Sequence, residues 1–303
     1  MSHEFETMFE LANESDVSIT HAVNIEHGEI QLSKMQDFAA SGSARDNETN
    51  EPFQWAVVCD GHGTNAVIEM VRQQIGLAVV QAEPCTALQS SVCATKKLGY
   101  ESSGCTAIIT KIYKDRCLIQ SVGDSTVIVM KDGEPVWKNT LHNWDNLEER
   151  GRLREKNPLN NAIPTKCTRV LSPETMCYMP SWYVTFFGYV QHLAMTQAIG
   201  HDNMTGIAPS TYEFVIEPGH EYKVMAFSDG VGDMLIEGNV DEMSAICKMT
   251  ANEILQFAES RWRQSWHPVS LDRPAIKYPA FRFTERAQFD DVSCFVAKIE
   301  PLV

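Results

Sequence analysis

Apolar runs that stop or start on aspartate set the first limit on what this chain can fold into. Asp60-Gly61-His62-Gly63 ends FQWAVVC, Gly123-Asp124-Ser125 ends RCLIQSV, Ser228-Asp229-Gly230 ends YKVMAF, and Asp290-Asp291 precedes VSCFVAKI. Asp37, in KMQDF, adds a further acidic position upstream. Any one aspartate at a strand end is explained by its taste for turns. An ordered series is not, because strand ends far apart in sequence converge along one rim of a sheet. Carboxylates collected there form an oxygen-rich pocket of the kind that Mg²⁺ or Mn²⁺ prefers. The first segment also carries a glycine, which lets a cation or substrate approach the main chain, and an imidazole that titrates near neutrality.

The spacing between these points predicts strands and helices in mixed order. FQWAVVC reads as a buried strand, and in the segment after it Val67, Val71, Ile75 and Val79 recur about one turn apart, the stripe of a helix lying on a sheet. CTAIITKIY and RCLIQSVG are strand-like runs divided by Lys114-Asp115, and Asp132-Gly133 marks a hairpin between STVIVM and PVW. LEERGRLREK is helical in flavour, and prolines 158, 164, 173 and 180 predict an irregular stretch. TYEFVIE and YKVMAF are joined by Pro-Gly, a helix is expected from about Asp241 to Glu259, and SGSARDNETNEP reads as a loop. Hairpins predominate over βαβ units, which points to an antiparallel α+β layering, in a chain long enough for one large domain or two small ones.

The order QD, VVCDGHG, SGCTAIIT, SVGDS, HNWDNLEERGRL, LAMTQAIGHD, MAFSDGVGDML and DDVSCFVAKI resembles the metal-dependent protein serine/threonine phosphatases of type 2C, from about Asp37 to Ile299. That resemblance implies a single domain over residues 1–303, a four-layer α-β-β-α sandwich with two central, mainly antiparallel sheets. It implies hydrolysis of phosphoserine and phosphothreonine in proteins by a hydroxide shared between two Mn²⁺ or Mg²⁺ ions about 4 Å apart. Carried over residue by residue, Asp60 bridges both ions, the Gly61 carbonyl takes one, and Asp229 and Asp290 hold the other. Asp37 matches the upstream acid, Asp124 the ligand of a third, weaker ion, and His62 the general acid that protonates the departing oxygen. Residues 141–165 correspond to a mobile flap beside the site.

Several positions depart from the family pattern. Leu32 stands where an arginine usually grips the substrate phosphate, leaving Lys34 to offer a point charge without the bidentate fork. Gln36, Thr126, Trp144, Gln197, His201 and Asp291 also replace usual residues. Groups that support metal ligands tune metal binding. The departures therefore predict a slow or selective phosphatase, or one that needs high metal concentrations. They also keep open a second class: a pseudophosphatase that binds phosphoproteins or regulatory partners without turnover.

Charge and cysteines bear on setting and partners. A formal net charge of −15 argues against a main role on nucleic acid or anionic membranes. Nine cysteines without a CxxC pair read as reduced thiols in a cytoplasmic or nuclear protein, and MSHEFETMFELANESD has neither the basic start nor the apolar core of a signal peptide. From Arg261 to Arg286, six basic residues are interleaved with Trp262, Trp266, Tyr278, Phe281 and Phe283. Such a pattern can bind single-stranded nucleic acid. In so acidic a chain it is read instead as an insertion, residues 260–287, that packs its rings on the body and presents arginines to a phosphorylated or acidic regulatory protein.

Overall fold

Side-chain alternation within the central strands divides the core of this protein into three leaves. The computed structural model describes residues 21–95, 102–156, 161–186, 192–236, 239–270, 273 and 275–302. In chain order, β1 (His21–Ile30), β2 (Asp37–Arg45) and β3 (Pro52–Gly63) precede α1 (Ala66–Ala78) and α2 (Pro84–Thr95). Then come β4 (Ser103–Cys105), β5 (Ala107–Ile112), β6 (Arg116–Val122), β7 (Thr126–Lys131), β8 (Glu134–Lys138) and α3 (Leu147–Lys156). β9 (Asn161–Ser172), β10 (Thr175–Thr185), β11 (His192–Leu193), β12 (Ile199–Gly200), β13 (Ser210–Val215) and β14 (Tyr222–Phe227) follow. The chain continues through α4 (Asp229–Gly232), α5 (Val240–Ile246), α6 (Ala251–Arg263), β15 (His267–Val269) and β16 (Val292–Pro301).

One sheet runs β1-β16-β14-β7-β8, and a second runs β12-β4-β3-β5-β6-β13 with β2 also paired to β3. Both are antiparallel throughout. Successive residues of a strand point to opposite faces. Ala56 and Val58 of β3 therefore meet Val127, Val129, Val224, Ala226, Phe295 and Ala297 between the sheets. Trp55, Val57 and Cys59 face the other way, onto Val67, Val71 and Ile75 of α1 and Leu88 of α2. On the outer face of the first sheet, Ile128, Met225, Phe227, Cys294 and Val296 pack on Ile246, Ile254, Leu255 and Trp262. Helix, sheet, sheet, helix is thus the layer order. Each fully buried branched or aromatic side chain contributes about 1.5–3 kcal/mol to holding it.

Local chemistry accounts for the details. Asp132 and Gly133 take positive φ, 52° and 84°, as the tight β7–β8 hairpin demands. β13 and β14, joined through Pro218-Gly219, lie in different sheets: β13 joins β6 in the second sheet and β14 joins β7 and β16 in the first. Other expectations need correction. The single helix expected from Asp241 to Glu259 is two, because Thr250 and Glu253 form a capping box that starts α6 afresh. Ser41–Arg45, read as loop, is the second half of β2.

The stretch read as irregular also folds, since β9 and β10 form a hairpin from Asn161↔Thr185 to Ser172↔Thr175. Pro164 sits on β9, whose named pairing is with β10 alone. Pro180 falls between the two short segments where β10 gains a second neighbour, Thr175–Cys177 against β15 and Val184–Thr185 against β11. A missing N–H is tolerated at such places. Pro158 lies outside the described residues.

Candidate metal centre

β2 and β3 set the two innermost carboxylates directly opposite each other, Asp37 against Asp60. Like charges facing across a ladder repel, so this pair invites protons or a cation. Burial above all, then the charges of Asp229, Asp37 and Asp290, raises the Asp60 carboxyl well above its ordinary range, and Asp60 shares a hydrogen bond with Asp229. Asp37 is fully buried and pushed up to about 7, mainly by desolvation, with Asp229 and Asp291 adding to the rise. The Ser228 and Ser293 hydroxyls face it closely enough to oppose that shift, yet neither of its carboxyl oxygens has a partner in hydrogen-bond geometry.

Asp290, just before β16, is likewise raised by burial and then by Asp229, Asp37 and Asp233. Asp124, in the turn between β6 and β7, is raised by burial, Asp229 and Asp233. One buried oxygen of Asp124 and one of Asp229 also lack a partner. Asp37, Asp60, Asp124, Asp229 and Asp290 therefore share one electrostatic neighbourhood, although they come from five separate parts of the chain. Asp233 belongs with them and was not singled out from the sequence. Its signal was present: Asp229 and Asp233 stand four apart on one short helical turn, the spacing that puts two side chains on one face.

The donor set fits hard divalent ions, being all oxygen, buried at Asp37 and Asp60 and half-buried at Asp124, Asp229 and Asp290, mutually repulsive and in part without partners. Among the described residues, no three His, Cys, Asp or Glu side chains already stand as a closed ligand set.

Close backbone packing holds the rim in place. A Cβ on Gly230 would meet the Asp291 carbonyl at 2.0 Å, so the Asp229 turn and the Asp291 strand can approach only with glycine there. Asp291, a departure from the family pattern, has a structural use. Its Oδ1 accepts from Ser33 N–H at 2.5 Å and its Oδ2 from Gln36 N–H at 2.9 Å, clasping the loop that delivers Asp37. The Gln36 carbonyl in turn takes the Gly61 N–H at 3.0 Å. Thr106 Oγ1 accepts from Asp60 N–H at 3.1 Å and bonds Ser125 Oγ at 2.7 Å, tying the Asp60 strand to the Asp124 turn.

His62 lies at the end of β3 with both ring nitrogens inaccessible and without a partner in hydrogen-bond geometry. Burial first, then the nearby His201 and Lys34, lowers its pKa to about 3. The ring is neutral at pH 7 in this geometry, and donating a proton requires added negative charge beside it. His201, another departure, stacks on it with centroids 4.7 Å apart and planes at 25°. Three consecutive residues, His201, Asp202 and Asn203, take positive φ of 48°, 48° and 59°. Such strain persists only where the surroundings enforce it. Gln89 does so in part, accepting from Gly200 N–H at 2.7 Å and donating to Asn203 Oδ1 at 3.2 Å. A Cβ on Gly104 would lie 2.4 Å from the His201 ring and 2.8 Å from His62 Nε2, so that glycine makes room for both.

The segment around α3 buttresses the same rim. His142 Nδ1 accepts from Gly123 N–H at 3.1 Å and its Nε2 bonds Ser210 Oγ at 2.8 Å, fixing the turn before Asp124. Glu149 takes a two-pronged bond from Arg152 and further bonds from Thr196 and Gln197, joining α3 to the chain that leads to His201. Gln197 thus replaces an arginine yet completes a network, its Oε1 receiving Ala208 N–H at 2.6 Å. Leu32 is buried in the helix-covered leaf of the core, and Lys34 is exposed nearby. Thr126 is a buried start to β7, and Trp144 packs beside Leu153 and Leu193.

The 260–287 insertion begins differently from the expectation. Arg261 to Arg263 complete α6, and Arg261 is buried against Glu242 and the Phe257 ring rather than presented outward. Trp262, Trp266, Phe281 and Phe283 do pack on the body, whereas Tyr278 is exposed.

The family model for protein phosphatase 2C matches residues 21–243. A curated relative, the probable protein phosphatase 2C 59 of Oryza sativa subsp. japonica, is 24% identical over 225 residues, spanning 67% of this chain and 61% of that protein. Solved structures share the fold. A bacterial serine phosphatase superposes with a TM-score of 0.54 at 17% identity, covering 93% of this chain and 100% of that one. Serine/threonine phosphatase Stp1 from Staphylococcus aureus gives 0.54 at 15%, covering 95% and 100%. A C. elegans sex-determining protein gives 0.55 at 16%, covering 94% of this chain and 66% of that one. With the family model spanning most of its length and the acidic rim assembled as described, this chain belongs to the protein phosphatase 2C family.

Proposed function

We propose that the protein is a metal-dependent phosphatase acting on phosphoserine and phosphothreonine in proteins. The observation that carries this reading is the convergence of Asp37, Asp60, Asp229 and Asp290 on one another's charge, beside the His62 ring, whose two nitrogens have no hydrogen-bond partner. Asp60, the Gly61 carbonyl, Asp229 and Asp290 would hold two Mn²⁺ or Mg²⁺ ions with Asp37 alongside, and Asp124 and Asp233 would hold a weaker third. When bound, the ions supply Lewis-acid activation of the phosphoryl group and of the attacking water. His62 offers its ring N–H to the departing seryl or threonyl oxygen, and the phosphoryl charge beside it raises its affinity for a proton. Such a donor is worth about 10²- to 10⁴-fold in rate. Asp291, Thr106 and Gly230 keep the acidic segments in register for that exchange.

The setting we propose is cytoplasmic or nuclear, supported by the buried thiols Cys59, Cys85, Cys105, Cys117 and Cys294. Among the described residues no helix is long and apolar enough to cross a membrane. The rival reading, a binding module without turnover, draws support from Leu32, which is buried among apolar side chains where the resemblance places a phosphate-gripping arginine. Hydrolysis of a phosphothreonine peptide with millimolar Mn²⁺ separates the two. The proposal expects turnover that chelator and Asp229→Asn both abolish. Phosphopeptide binding without any turnover would favour the module.

A further inference from the structure

A centre made of carboxylates needs positive charge to receive a phosphoryl dianion, and two cationic side chains lie close to its rim. Lys34 is exposed in the loop between β1 and β2, near enough to His62 for its charge to be felt there. The second cation comes from the far end of the chain. Arg286 opens the short turn Arg286–Gln288 and donates from Nε to the Ser33 carbonyl, one residue before Lys34. Its side chain is exposed, and among the described residues no further bond or ion pair occupies the two Nη groups.

That placement is built rather than incidental. Ser33 is hooked to Asp291, the neighbour of Asp290, so Arg286 rests on the very loop whose other end delivers Asp37. The turn itself is closed by reciprocal bonds between Glu285 and Gln288. Phe283 and Phe289 pack around Trp262 with centroids 5.2 Å and 6.5 Å from its ring, and Trp262 Nε1 donates to the Gly230 carbonyl at 2.7 Å. These aromatic contacts therefore hold the segment that carries Arg286 beside the Asp229 turn. Leu32, where the family resemblance places a phosphate-gripping arginine, is buried among apolar side chains and offers no charge.

We propose that Arg286, seconded by Lys34, binds the phosphoryl group of the substrate, supplying from the last third of the chain the guanidinium that position 32 lacks. With Nε spent on Ser33, the two Nη groups present the planar edge that matches two phosphoryl oxygens. This assignment rests on the phosphatase reading for its substrate, but its test does not require turnover.

The probe is inorganic phosphate, titrated calorimetrically into the full-length, Mg²⁺-loaded protein. Arg286→Gln removes the charge while keeping an amide donor for Ser33, and should weaken phosphate roughly 10- to 100-fold. Arg286→Lys should fall between it and the parent, and Lys34→Ala should lose less than Arg286→Gln. Mg²⁺ affinity and melting temperature should stay at parental values in Arg286→Gln. Parental phosphate affinity in that variant would overturn the proposal, as would a matching loss of Mg²⁺ affinity, which would mean that Arg286 only anchors the Ser33 loop. Absence of phosphate binding by the parent protein would overturn it as well. Phosphate binding that depends on Arg286 in a protein that fails to hydrolyse a phosphothreonine peptide would sink the catalytic reading and leave this one standing.

Discussion

At the scale of single residues, the molecule spends its rarest conformations and most awkward burials on one rim. Asp37 and Asp60 are set face to face, Gly104 and Gly230 allow approaches that any Cβ would block, and His201 sits in a left-handed turn to cover His62. Each choice makes a measurable demand. Gly104→Ala forces its methyl into both imidazoles, and overpacking of this kind costs about 1–3 kcal/mol. Its melting temperature should fall, and turnover should fall further than stability alone explains. Asp291→Asn keeps the shape but replaces one of two acceptors by a donor facing a backbone N–H. Leaving a buried partner unpaired costs about 1–3 kcal/mol. We expect lower stability together with an Mn²⁺ affinity reduced about 10- to 100-fold, measured by calorimetry. An unchanged Mn²⁺ affinity would show that the clasp on Ser33 and Gln36 does not position Asp37.

At the scale of elements, the strands that carry the acids were legible, and those that support them less so. β3, β5, β6, β7, β14 and β16 announce themselves as apolar runs with two buried faces, and α1 as a stripe at helical spacing. β1, HAVNIEHGEI, was not read as a strand because its burial is only partial and its polar residues follow no clean alternation. α2 was missed for a similar reason, since Pro84–Thr95 is rich in small polar residues and presents few apolar anchors. The β9–β10 hairpin was hidden by prolines, which propensity reads as breaks but which edge and unpaired positions accept. No local signal reveals that β13 and β14 part company across Pro218-Gly219, because the choice of sheet is decided by long-range pairing. In the site, Asp233 was readable from its four-residue spacing to Asp229, whereas the His62–His201 stack and the Arg286–Ser33 contact join residues that sequence alone cannot pair. One element couples the helical layer to the centre. Trp262 fills the core beneath α6 and bonds the Gly230 carbonyl. Trp262→Phe should cost about 1 kcal/mol through that bond. It should also weaken Mn²⁺ binding more than a core substitution of equal stability cost elsewhere, such as Ile254→Val, if the bond steadies Asp229.

For the molecule as a whole, the two sheets act as a frame that forces acids into a space they would otherwise leave. The carboxyls of Asp60, Asp124 and Asp290 are raised by burial and by one another, and Asp37 is pushed up to about 7. In the metal-free protein, the folded state therefore holds more protons than the unfolded state between the ordinary carboxylate range and pH 7. Stability falls with rising pH wherever the native state binds the extra protons. The contribution of these groups should be complete below about pH 4 and lost progressively as pH rises through 7. Mn²⁺ replaces the protons, so its stabilising effect should grow over the same interval. Chemical denaturation of chelated and Mn²⁺-loaded protein at pH 5 and pH 7.5 would test this. A metal effect equal at both values would mean that the carboxyls are already ionised before the ion arrives.

The most direct test of the central claim is anomalous diffraction at the manganese edge from crystals grown with Mn²⁺. The account predicts two strong peaks enclosed by Asp60, Asp229 and Asp290, with Asp37 alongside and any weaker third peak between Asp124 and Asp233. Peaks located away from these carboxylates, or none at saturating Mn²⁺, would contradict it.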